Sequence, residues 1–224
     1  GGLYFEAWSD TADFRNLQFA IGADKEQNGV YSFKGRTPFF NIQNRLNTVQ
    51  YDTLWDPQGN RVATIETYAE QNQGVYKLEV ALINPDSAQF LYRFETKGTG
   101  IVDIYSSFSL FRHSEMLSSN LPSSSVYPPM RNYAKPDSMQ TMVSSFTCSP
   151  AVISVGNHYN RRLYTDVTGT LRNMGITPGE ISINSSLGPN RQNYLKPDVS
   201  SAGDFMFSSG RLATIRSLLN SNPE

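Results

Sequence analysis

One cysteine and two histidines in 224 residues leave little room for cross-linking or imidazole chemistry, and each scarcity excludes something. With a single thiol no internal disulfide can form, and Cys148, lying just before the apolar run that begins at Ala151, reads as a small buried side chain. Apolar runs reach only about four residues, far short of the roughly 20 needed to cross a bilayer, so the sequence predicts a soluble chain without a membrane span. An excess of either charge is also missing. Lys and Arg total 19 against 20 Asp and Glu, a formal net charge of -1, and the basic residues are scattered singly apart from Arg161-Arg162. No basic face for nucleic acid is implied. The opening residues do not read as a secretory leader, and Gly1, with Gly2, reads as the scar of a processed tag on a cloned fragment.

The residues that are abundant are those of strands. Tyr and Phe number 12 and 13, and from Leu3 to Ser107 the apolar pattern has period two with frequent turn residues. Eight strands are expected: Leu3–Trp8, Leu17–Ile21, Val30–Phe33, Thr48–Trp55, Arg61–Tyr68, Val75–Ile83, Phe90–Thr96 and Ile101–Tyr105. Asp56-Pro57-Gln58-Gly59-Asn60 is a strong turn, so its flanking strands should pair as a hairpin. No helical run is evident in this part. The expectation for residues 3–107 is therefore a jelly-roll-like antiparallel β-sandwich.

Residues 108–136 change character, mixing Ser118, Ser119 and Ser123 to Ser125 with Pro122, Pro128, Pro129 and Pro136, and read as an irregular surface crossing. Asp137 is placed to cap a short helix over Ser138 to Phe146. Ala151–Val155 then reads as a parallel strand covered on both faces, because it is continuously apolar rather than alternating. Near the end Leu212, Ile215, Leu218 and Leu219 fall at helical spacing, a stripe expected to face a core.

Residue order is most specific in Gly179–Ser209. Ile181 and Ile183 alternate with Ser182 and Asn184 as a short strand, Ser185, Ser186, Gly188 and Pro189 break it, and Lys196-Pro197-Asp198-Val199 resumes an extended run closed by Ala202 and Gly203. This order resembles the part of subtilisin-like serine proteases that reads G-x-I-A-x-F-S-S-x-G-P and then K-P-D-[IV]-x-A-P-G. Val152-Ile153-Ser154-Val155-Gly156 likewise resembles the family's V-I-x-V-G-A strand. Ser182, Asn184, Ser201 and Ala202 depart from the pattern, which makes this a divergent member. The resemblance covers Pro136 to Ser209 and implies a partial α/β catalytic-domain segment over residues 137–224, an extracellular or cell-surface location, and a protein or peptide substrate for the full-length enzyme.

That chemistry needs a serine nucleophile, a histidine base, an orienting aspartate and an amide donor for the oxyanion. In the family these sit in G-T-S-M-A, H-G-T, D-[ST]-G and an Asn ending a strand before glycine, and none of these contexts occurs here. His113 and His158 therefore read as structural or solvated, and no catalytic, cofactor or metal residue is assigned. By the family's chain order this is a window from the middle, silent alone, with the sandwich as an insertion beside the substrate cleft. Asp10 with Asp13, or Asp52 with Asp56, could supply oxygens to calcium, although solvated turn acids are the plainer reading. Trp8, Trp55 and Tyr76 could form a stacking platform for sugar, although aromatics on short strands more often pack inside. Asn184-Ser185-Ser186 fits a glycosylation acceptor, which the family match turns into strand-end geometry. The competing class is a non-catalytic module binding carbohydrate or protein; an exposed aromatic strip, with no parallel strand pair after Pro150, would mark it. Missing neighbours in the catalytic segment further imply open strand edges and self-association through the C-terminal half.

Overall fold

The computed structural model describes residues 4–86, 90–106, 121–136, 143, 145–207 and 209–221. His113 and most of the helix expected over Ser138 to Phe146 lie outside them. The chain divides into two compact units, Gly1–Pro136 and Asp137–Glu224.

The first unit is mainly β and antiparallel. Its strands are β1 (Tyr4–Asp10), β2 (Leu17–Gln27), β3 (Val30–Arg36), β4 (Gln50–Trp55), β5 (Arg61–Asn72), β6 (Val75–Ile83), β7 (Phe90–Gly98) and β8 (Asp103–Ser106). They form a five-stranded sheet, β4-β5-β6-β1-β8, and a three-stranded sheet, β3-β2-β7. The period-two pattern is realised directly: in β1 Phe5, Ala7 and Ser9 are buried while Tyr4, Glu6 and Trp8 are half-buried on the other face. The two inner faces meet in one core, where Phe5 of one sheet lies edge-on to Phe94 of the other at 4.8 Å between ring centres, and Phe94 stacks on Phe19 at 5.3 Å.

Turn chemistry sets the registers. Asn28-Gly29 and Gln73-Gly74 both have positive φ, the two-residue geometry that matches the twist of paired strands, and they join β2 to β3 and β5 to β6. The Asp56 to Asn60 turn joins β4 to β5 as expected, with the Asp56 carboxylate accepting from the amides of Gln58 and Asn60 at 2.9 and 2.8 Å. One element is a correction. Thr11–Asn16 is a helix, α1, begun by Asp10, whose side chain accepts from the Asp13 amide at 2.8 Å. At six residues it is too short for its periodicity to show, but its one buried residue, Phe14, sits 5.2 Å from Phe19 and 5.9 Å from Tyr76. Phe19→Ala, which would empty the centre of this cluster, should destabilise the unit by about 3–5 kcal/mol in denaturant unfolding.

The second unit is built differently. Its strands are β9 (Val155–Tyr159), β10 (Leu163–Thr165), β11 (Leu171–Asn173) and β12 (Val199–Asp204), followed by helix α2 (Leu212–Ser221). β10 and β11 form a small hairpin, and β9 pairs in parallel with β12, Val155 opposite Val199. Two expected strands shift. Pairing starts at Val155, where the expected Ala151–Val155 strand ends, because the Ser154 amide is taken by the Asp198 carboxylate at 2.7 Å instead of a ladder partner. Ile181–Asn184 is no strand of a parallel sheet: Ile181 makes an isolated antiparallel bridge to His158, and buried Ser182 turns inward while Ile181 and Ile183 face out. The stripe on α2 is also exposed rather than facing a core.

Candidate functional site

The residues that single out the second unit converge on the start of its parallel pair. Ser154 donates through Oγ to Asp198 Oδ2 at 2.9 Å, and Lys196 reaches the same oxygen at 2.8 Å. The Lys196 ammonium also donates to the carbonyl of Val152 at 2.6 Å, with its side chain almost wholly buried. Three donors on one carboxylate, led by Lys196, hold the Asp198 carboxyl down at about 2. Pro197 packs over Gly156, where a Cβ would come within 2.7 Å of the ring, and the Asn157 amide donates to Ser185 Oγ at 2.9 Å. Residues of Val152–Gly156 thus share one junction with Ser185 and Lys196–Val199, which lie some 30 to 45 positions further on.

Chemically this junction is a clamp. A serine nucleophile needs a base to take its proton, but Ser154 already donates to a carboxylate, and the ammonium that neighbours it is a donor with two acceptors. The clamp carries a pH dependence whose sign follows from the shift. Asp198 has a folded pKa below its ordinary 3.8, so its contribution is present above about pH 4 and is lost as pH falls towards 2. Asp166, held down by Thr168 and Arg172, and Asp204, held down by Ser182, act in the same direction. Signals of the second unit should therefore melt out between about pH 4 and 2. In Asp198→Asn, amide resonances of Ser154 and Val155 should already be shifted at pH 7; unchanged resonances would show that the clamp does not form.

A second polar cluster was not foreseen. Asp24, a buried carboxylate in β2, accepts from Tyr127 and Tyr133 hydroxyls at 2.9 Å each, and the Arg93 guanidinium of β7 forms an ion pair with it. Arg93 Nε donates in turn to Glu95 at 2.8 Å, and Arg36 lies 3.3 Å from Glu95. Burial, reinforced by the bond to Asp24, pushes the Tyr127 hydroxyl up to about 12, and burial also raises Tyr133. The available signal was Asp24 itself, an acid continuing the buried run Phe19–Ala23, with no cation adjacent except Lys25.

The other residues singled out from the sequence stay apart. His158 sits within β9, opposite Ala202 on one side and Ile181 on the other. Asp10 caps α1, Asp13 accepts from the Ile101 amide at 2.9 Å, Asp52 pairs with Arg45, and Asp56 serves its own turn. Among the described residues no group of three or more His, Cys, Asp or Glu side chains is placed to hold a metal. Trp8, Trp55 and Tyr76 form no platform: Tyr76 is in the core, Trp8 lies on the outer face beside Lys77, and Trp55 is half exposed on β4. Among the described residues no helix is long and apolar enough to cross a membrane. No family model, no curated protein and no solved structure matches the chain.

Proposed function

We propose that the chain is a piece of a secreted subtilisin-like serine endopeptidase: a β-sandwich insertion followed by part of the catalytic α/β domain, acting on protein or peptide substrates only when the rest of the enzyme is present. The observation that carries this reading is the junction at Ser154. Two of the stretches on which the resemblance rests, Val152–Gly156 and Lys196–Val199, are joined there by the Asp198 clamp and run on into a parallel strand pair, while the third, Gly179–Pro189, adds no strand to it, only an isolated bridge from Ile181 to His158. A non-catalytic binding sandwich would have no need of such a pair after Pro150. In this reading Ser154, Lys196 and Asp198 position the strand ends and take no part in bond cleavage.

The test is the coding sequence on either side. D-[ST]-G and H-G-T contexts upstream, with G-T-S-M-A downstream, are expected; an open reading frame that closes on both sides without them would overturn the proposal. A second reading, a module binding carbohydrate or protein, is favoured by Tyr51 and Trp55, exposed to 64% and 52% on edge strand β4. It requires tryptophan fluorescence to respond to soluble polysaccharide or to a protein partner, and the response to vanish in Trp55→Ala.

A further inference from the structure

We propose that residues 121–136 form a latched strap whose release lengthens the tether between the two units. The strap is the last stretch of the first unit, and the second unit begins directly after it at Asp137. It has little regular structure: a turn from Ser123 to Tyr127, where the Val126 and Tyr127 amides both donate to the Ser123 carbonyl, and a 3-10 turn over Pro128–Asn132. Among its described residues none is buried. Backbone pairing therefore does not hold it down, and its attachment falls on a few side chains.

Those side chains share one anchor. Tyr127 and Tyr133 donate to the two different oxygens of Asp24, so the carboxylate is gripped from both ends of the 3-10 turn. The Tyr127 ring also lies 5.9 Å from Tyr31 of β3. Arg93 fixes the anchor from beneath: it pairs with Asp24 and Glu95, and it lies over the ring of Phe33 at 5.3 Å. The strip of β2 below is shaped to admit it, since Gly22 leaves the space through which the Arg93 guanidinium passes, and a Cβ there would come within 2.6 Å of it. Hydrogen bonds to a buried charge are among the stronger ones, but two of them are few enough to open without unfolding the sandwich. The sandwich core, centred on Phe19 and Ile65, does not involve either tyrosine.

With the latch closed, the second unit is tied at Pro136. With it open, the 16 residues of the strap join the tether and add roughly 20 Å of root-mean-square reach. The Asp24 latch therefore sets how much free chain precedes Asp137.

The decisive variant is Tyr127→Phe with Tyr133→Phe, which removes both hydroxyls, leaves the Asp24–Arg93 pair in place, and keeps an aromatic chymotrypsin site at position 133, before Ala134; the bond after 127 precedes Pro128 and is not cut. Cleavage after position 133 in the full chain should accelerate at least tenfold while the thermal transition of the sandwich is retained. The radius of gyration from solution scattering should rise with it. Asp24→Asn, which keeps one acceptor oxygen and loses the charge, should fall between the wild type and the double variant. Equal cleavage in folded wild type and double variant would overturn the latch. Faster cleavage with an unchanged radius of gyration would overturn the tether role.

Discussion

Incubated with casein or a fluorogenic peptide, the chain should show no turnover above the rate without protein. Catalysis by a serine triad requires a hydroxyl next to a base that is itself oriented by an acid, and loss of nucleophile and base together removes nearly all of an acceleration of about 10⁶-fold or more. Buried Ser154 donates its hydroxyl hydrogen bond to the Asp198 carboxylate, which also accepts from Lys196, and buried Ser182 donates to Asp204. His158 is strung between Ala202 and Ile181 within a sheet, not opposite Ser154. Neither histidine occurs in the H-G-T context, and no G-T-S-M-A follows. Turnover that survived repurification and was blocked by a serine-directed phosphonate would sink the prediction and, with it, the assignment of Ser154 as a clamp.

How much was legible in the residues depended on whether short-range pattern or long-range charge decided the outcome. Each of the eight strands of the sandwich was visible because alternation is a local property, and errors lay at the ends: β2 runs on to Gln27 and β5 to Asn72 because their partners extend alongside them. Helix α1 was missed because six residues are less than two turns, too few to display a helical period beside strong strand neighbours. In the second unit the same rule misled. Ile181 and Ile183 alternate with Ser182 and Asn184 as the residues of a strand would, yet the segment is no sheet strand and Ser182 is its buried residue, since its hydroxyl bonds Asp204 and its amide donates to the Asn157 carbonyl at 3.0 Å. Hydrogen bonds between groups some 20 to 45 positions apart fix that unit, and such pairings leave no periodic trace. The Asp24 cluster was hidden for the same reason: its tyrosines come from more than 100 residues downstream.

Light scattering over a dilution series should show the chain leaving the monomer state as concentration rises, through its second unit. All the buried apolar side chains among the described residues lie between Phe5 and Leu82; in the second unit the buried side chains are those of Ser154, Ser182, Asn190 and Lys196. Its apolar residues face water instead, with Ile153, Ile183 and Leu195 exposed to 76%, 89% and 85%. Leu212, Ile215, Leu218 and Leu219 of α2 are exposed on one helix and cover none of it in the sense of burial. Taking a side chain of this kind from full exposure to full burial is worth about 1.5–3 kcal/mol, and the four on α2, exposed to 60%, 39%, 60% and 37%, amount to about two such side chains, so they offer roughly 3–6 kcal/mol. Lost translational and rotational freedom costs about 4–15 kcal/mol, as much or more, which puts the net effect in the weak, concentration-dependent regime rather than that of a permanent dimer. Ile215→Asp with Leu218→Asp should restore the monomer mass without altering the thermal transition of the sandwich. A wild-type monomer mass that persisted at high concentration, with no binding of a dye specific for apolar surface, would show that the second unit satisfies itself.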